Sequence, residues 1–243
     1  MASTWALFRE IAKKKLTWGS STVEKPRIDR DLPLGLRIGS LVSIMSVDAI
    51  LAGDQLKIKM PTQDLMVVAY GKFDVNPFKG HRFYLSADSG ELFTLQVVTN
   101  TKGEIDDCKL FSLHDEIITN DWDFWLNERD GYIGYSVFQL KPEDGGVTYF
   151  RAWDNELEQV VIEQNEEGNI TRIPPVELTE TIYGDPFAGE VRRVKHTSML
   201  YGRDVTDSVQ EYMMVSVAED KDGASIQIII GLPLEPASIK VLF

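Results

Sequence analysis

Period-two patterning, cut at short intervals by glycine-containing turns, constrains this chain more than any other feature. In Thr148-Tyr149-Phe150-Arg151-Ala152-Trp153, Tyr149 and Arg151 point opposite to Phe150 and Ala152, because successive strand side chains alternate between faces. Asp222-Gly223 sits between two such runs, 212–217 and 226–230. Glycine supplies the positive φ that a two-residue hairpin turn requires, so this stretch reads as a hairpin. Residues 100–103 and Asp88-Ser89-Gly90 read as further hairpin turns, and Asp144-Gly145-Gly146 and Glu166-Glu167-Gly168-Asn169 as longer ones.

The pattern predicts strands over 37–47, 65–74, 82–86, 92–99, 108–113, 148–153, 159–164, 191–201, 211–218, 225–231 and 238–242. Two short helices are predicted in the body, over 47–56 and 121–128, the second capped by Thr119 or Asn120 with Asp121 and Asp123 near its positive end. Strands this closely spaced leave no room for βαβ units. The fold class is therefore α+β and β-rich: mainly antiparallel sheets, a few short helices, and an N-terminal amphipathic helix. That helix is read from Trp5, Phe8, Ile11, Ala12 and Leu16, which share one face at 3.6-residue spacing behind a Ser3 or Thr4 cap. The expected organisation is a helix over 1–18, a linker over 19–31 marked by Gly19-Ser20-Ser21, Pro26 and Pro33, and a globular body over 32–243. Two β-rich halves dividing near 130–145 are the alternative.

Charge adds an asymmetry. The 243 residues hold 25 Lys and Arg against 38 Asp and Glu, a net −13, which argues against a nucleic-acid partner because phosphate neutralisation needs a basic footprint. Yet residues 1–30 carry seven basic against three acidic side chains, whereas 104–190 carry 21 acidic against five basic. A basic head is thus joined to an acidic body. One cysteine, Cys108, excludes an internal disulfide or a cysteine-based zinc cage. No apolar run is long enough for a membrane-spanning helix, and no secretory signal pattern opens the chain.

Catalytic patterns are absent from the sequence. Gly35 and Gly39 lack the third glycine or the Gly-Lys-Ser/Thr of a phosphate cradle and read as turn glycines. His81, His114 and His196 are far apart and show no metal-ligand spacing. A calcium loop counted on Gly223 as its sixth position fails at Ala218 and Ile229. Cys108 lies next to Asp107, whose charge disfavours a thiolate. The aromatic cluster around Trp122, Phe124, Trp125, Tyr132, Tyr135 and Phe138 has carboxylates beside it, but Trp122, Trp125 and Leu126 have the spacing of a helix face packed on a sheet. No catalytic residue, metal or cofactor is expected.

The most function-like feature is Trp5, Phe8 and Ile11 beside Lys13, Lys14 and Lys15, the make-up of a helix that contacts a partner or an anionic membrane surface. Its competing reading is a helix packed on its own body. Arg37, Arg82, Arg151 and Arg203 lie in or at the ends of predicted strands, and at least two should be partly buried against acidic partners.

Several segments together resemble a known family. They are residues 32–39 (Leu-Pro-Leu-Gly-Leu-Arg-Ile-Gly), Arg82-Phe83-Tyr84-Leu85 with Leu95-Gln96-Val97, Tyr149-Phe150-Arg151-Ala152-Trp153, Met199-Leu200-Tyr201-Gly202-Arg203 and residues 211–216. Their order resembles the YjfK-like family of uncharacterised bacterial cytoplasmic proteins. The resemblance implies a genomic setting beside PspA-type membrane-stress proteins and a glutathionylspermidine-synthase-like enzyme, hence an accessory role at the inner membrane face. Two principal readings follow: a non-enzymatic interaction protein with a protein partner, and a small-ligand enzyme or binding protein whose acidic cleft takes a cation such as a polyamine. A structural scaffold subunit is a third.

Overall fold

The computed structural model describes residues 26–141, 146–153, 159–165, 168–187 and 191–242. The expected helix over 1–18 lies outside the described residues, as do Trp5, Phe8, Ile11, Lys13, Lys14 and Lys15. In chain order come β1 (Leu41–Ile44), α1 (Val47–Ala52), β2 (Leu65–Val75), β3 (Phe78–Ser86), β4 (Leu92–Thr99), β5 (Ile105–Ile117) and α2 (Trp122–Leu126). They are followed by β6 (Val137–Gln139), β7 (Thr148–Arg151), β8 (Val160–Asn165), β9 (Gly168–Arg172) and β10 (Val176–Tyr183). The last four strands are β11 (Val191–Thr206), β12 (Val209–Asp220), β13 (Gly223–Pro233) and β14 (Ile239–Leu242).

Eight strands close into an antiparallel barrel in the order β2-β3-β4-β5-β13-β12-β11-β10, with β10 pairing back onto β2 through Thr181–Lys72, Ile182–Gly71 and Tyr183–Tyr70. Tight turns join β2 to β3, β4 to β5, β11 to β12 and β12 to β13. Asn100 accepts from the amides of Lys102 and Glu104 in the β4–β5 turn, and Gly103 there takes φ +81°. Two wings leave the ring: β1 and β14 continue from the start of β2, and β7 and β6 from the later part of β11. The β8–β9 hairpin forms a separate two-stranded sheet.

The two faces of the ring have opposite characters. Facing out, Phe83, Leu85, Leu95, Val97, Cys108 and Leu110 form one apolar core beneath residues 32–44 and β14. Met199, Tyr201, Met213, Val215, Val217, Ile226, Ile228 and Ile230 form a second, beneath α1, α2, β6 and β7. Facing in are Arg82, Tyr84, Gln96, Glu180, His196, Ser198, Ser216 and Gln227, all buried, with apolar packing around Val68, Ala69, Ile182, Val194 and Ala218 at one place and Phe111, Leu200 and Met214 at another.

Several expectations need correction. Residues 37–47 are not one strand: Ile38-Gly39 turns, only Leu41–Ile44 pairs, and Ser46 caps α1 by accepting from the amide of Ala49 at 3.2 Å. α1 ends at Ala52 and a 3-10 turn, Gly53–Gln55, follows it. Asp121, not Thr119 or Asn120, caps α2. β6, β9 and β10 lie where the sequence pattern predicts no strand. Asp29, placed in the expected linker, is fully buried and accepts from Arg27 at 2.8 Å and from the Ile38 amide at 2.7 Å.

Candidate functional site

Three places in the described residues hold polar or exposed groups that ordinary packing does not demand. The first is the barrel interior. Glu180 on β10 is fully buried; its Oε2 accepts from Arg82 Nη1 of β3 at 2.7 Å and lies 3.0 Å from His196 Nε2 of β11. Its Oε1 accepts from the Tyr84 hydroxyl at 2.8 Å. Arg82 also donates through Nε to Gln96 at 3.0 Å, and its guanidinium reaches Met214 on β12, across the lumen. Gly71 leaves the space that Glu180 occupies, since a Cβ there would stand 1.8 Å from its Oε1.

The electrostatics follow from burial and pairing. Burial pushes the Glu180 carboxyl up, but the Arg82 charge and the hydrogen bonds from His196 and Tyr84 outweigh it and hold the group at about 2. His196 is lowered, first by burial and also by Arg82, so it is neutral. With Glu180 an acceptor only, Nε2 of His196 carries the proton and Nδ1 faces the Ser216 hydroxyl at 3.3 Å. Both carboxylate oxygens are engaged, so a substrate could reach Glu180 only by displacing Arg82, His196 or Tyr84. Chemically this is a pin that ties β3, β10 and β11 together.

Glu211 makes a second pin, on the outer face. Its Oε1 accepts from the amides of Lys57 and Ile58 at 2.6 and 2.9 Å, and its Oε2 from Tyr149 at 2.7 Å and Arg203 at 2.8 Å. Arg203 donates onward to the Gln55 carbonyl at 2.7 Å. The chain just after α1 is thereby fastened to β12. Arg82 and Arg203 thus fulfil the expectation of buried, acid-paired arginines. Arg37 is exposed, and Arg151 donates to the Gly134 carbonyl.

The third place is what these fastenings present. α1 packs inward with its small residues, Ala49 and Ala52, and turns its large ones out: Val47, Ile50 and Leu51 are 65%, 70% and 75% exposed, and Met45 just before them 68%. A groove of about 370 Å³ runs beside α1, lined by Ser43, Met45, Ile50, Met60 and Asp64 among others. On the outer side of the adjoining wing, Leu41 stands opposite both Leu242 of β14 and Met66 of β2, all three well exposed. Large apolar side chains are therefore exposed on both the wing and the helix.

Other places fit structural roles. Trp122, Trp125 and Leu126 of α2 pack onto the second core, as their spacing predicts. Cys108 is buried, and burial with Asp107 pushes its thiol up to about 12, far from a reactive thiolate. A hollow of about 530 Å³ is lined by Lys57, Lys59 and His114 with only Glu91 as a carboxylate, the wrong sign for a cation. Among the described residues, no three His, Cys, Asp or Glu side chains gather to hold a metal, and no helix is long and apolar enough to cross a membrane.

Nearly the whole of this arrangement falls within one family match. Residues 7–240 match the family described as protein of unknown function (DUF2491). The chain belongs to that family. Membership in DUF2491 brings no activity with it. No curated protein and no solved structure matches the chain. The pins and the apolar surface are accordingly the guides to what this DUF2491 member does. Sequence reasoning flagged Arg82 and Arg203 but missed Glu180, Glu211 and the outward face of α1; an acidic residue at an apolar position of the alternation, and a helix with its alanines at i and i+3, were the available signals.

Proposed function

We propose that this protein is a non-enzymatic interaction protein that docks a partner protein on the apolar surface of α1 and the β1–β14 wing. The observation that carries the reading is the inverted helix. A short helix capped at Ser46 and stapled behind by Glu211 holds Val47, Ile50 and Leu51 in solvent, with Met45 exposed just before the cap. Large apolar side chains grouped in solvent mark an interaction site. Inside the barrel, both carboxylate oxygens of Glu180 are already engaged, by Arg82, His196 and Tyr84. For the acidic-cleft alternative, the groove contributes Asp64 alone, the hollow of Lys57 and Lys59 has the wrong sign, and the hollow beside α2 sets Asp123 and Glu128 against Arg129.

The resemblance to YjfK-like proteins supplies the class of partner: a PspA-type envelope-stress protein at the inner face of a bacterial membrane. The test is capture of a purified PspA-type protein from the same bacterium by the full chain, against a variant carrying Ile50→Asp and Leu51→Asp. Capture by the native chain and its loss in the variant support the reading. Equal capture by both, or by neither, overturns it.

A further inference from the structure

The hollow with the wrong sign for a cation has the right one for an anion. It measures about 530 Å³ and lies where residues 57–59, the turn before β4 and the later part of β5 meet. Lys57, Lys59, Ser112 and His114 line it, and Glu91 is its one carboxylate. The chain holds 38 acidic against 25 basic side chains, so lysines here have counter-charges in excess. Yet the ion pairs among the described residues leave both lysines out. Glu91 itself accepts from the Ser89 hydroxyl at 3.2 Å.

Both walls are fixed by the fold. Glu211 accepts from the amides of Lys57 and Ile58, and Ile58 is buried in the second core. The backbone carrying the lysines is thereby held, while Lys57 stays half-buried and Lys59 exposed. Charge placed in advance costs less to gather on binding. On the other wall, Ile228 stands opposite Asp115 and Ile229 opposite Leu113, so His114 is the extra residue of a β-bulge. A bulge re-aims a side chain and is over-represented beside functional sites. The β4–β5 ladder ends at Phe93–Ser112, which leaves the space beyond it open.

The donor set selects the ligand. Lysine binds phosphate as a point charge, whereas a planar carboxylate is best matched by the arginine fork, which the lining lacks. Ser112 can donate its hydroxyl, and His114 a ring N–H in either tautomer. The volume falls among small-molecule sites, about 300–1,000 Å³. We infer that this hollow binds a soluble phosphorylated small molecule through Lys57, Lys59, Ser112 and His114. It shares no lining residue with the groove beside α1, so the site stands or falls independently of the docking reading.

The experiment is calorimetric titration of the full chain with inorganic pyrophosphate, in magnesium-free buffer at fixed ionic strength. The native chain should bind, and Lys57→Gln/Lys59→Gln should bind roughly tenfold more weakly or worse. Glu91→Gln removes the opposing charge and should bind more tightly. Lys79→Gln/Lys102→Gln, two exposed lysines at the other end of β3 and β4, should match the native chain. Pyrophosphate should also raise the melting temperature of the native chain and leave that of Lys57→Gln/Lys59→Gln unchanged. No binding by the native chain, equal weakening in both lysine pairs, weaker binding in Glu91→Gln, or binding to phosphatidate vesicles with none to pyrophosphate each overturns the site.

Discussion

At the scale of single residues, Glu180 is where the barrel has most to lose. A buried charge is tolerable only while its partners remain. Replacing Glu180 by Gln leaves the guanidinium of Arg82 buried without its counter-charge, so unfolding free energy should fall by about 3–5 kcal/mol. Replacing Arg82 by Met as well removes the stranded charge, and the double variant should be less destabilised than the sum of the single ones. A urea-unfolding double-mutant cycle measures this; simple additivity would show that the pair does not act as a unit. Acid should act on the same network. The folded Glu180 is held at about 2, below the 4.5 of a free glutamate, so its contribution is full above 4.5 and is lost as pH falls towards 2. His196 is lowered in the folded state, so below about 6.5 the unfolded chain takes up a proton that the barrel refuses. Both effects weaken the fold as pH falls. The urea midpoint should drop between pH 7 and 5, and His196→Gln should lessen that drop; His81, also lowered by burial, accounts for part of the remainder. A midpoint that rises on acidification would contradict the neutral assignment of His196.

At the scale of elements, α1 separates presentation from packing. Ile50→Asp and Leu51→Asp change only solvated positions, and surface changes of this kind stay within about 0.5 kcal/mol. Ala52→Leu forces a larger side chain into a filled core and should cost about 1–3 kcal/mol. Thermal melts of the two variants check the contrast, and an equal loss in both would mean that the outward face is covered by structure. The same element shows how sequence legibility ends. Strands such as β4 could be read because Phe93, Leu95 and Val97 alternate on one face, and β2 and β12 because their apolar runs are bounded by polar turns. β10 could not, because its inward row runs Leu178, Glu180, Ile182, and the glutamate at its centre breaks the pattern that identifies a strand. The charge that hides β10 in the sequence is the one that pins it in the barrel. In α1 the alternation of small and large residues was visible, but its orientation depends on Glu211, which lies 153 residues from Ile58 in the chain.

At the scale of the whole molecule, closure of the ring decides how the parts share stability. The strands β2 to β5 and β10 to β13 form two runs of neighbours, and only two seams join them: β5 to β13, and β10 to β2. Neither seam is local in sequence, which is why antiparallel sheets were legible and the barrel was not. A closed barrel has no free edge from which to fray, so loss of one seam exposes unpaired strands on both runs at once. Arg82, Glu180 and His196 bridge the β10 side from within, and Met214 extends the contact across the lumen. Amides in both runs should therefore exchange through one global opening, while those of β14 and β6, which lie at the outer ends of the wings, exchange sooner. The Glu180→Gln variant tests this for the ring as a unit: protection in β4 and β13, neither of which touches Glu180, should fall by the same free energy as protection in β10. A loss confined to β3, β10 and β11 would mean that the seam at β5 and β13 holds on its own, and that the barrel opens as two bodies instead of one.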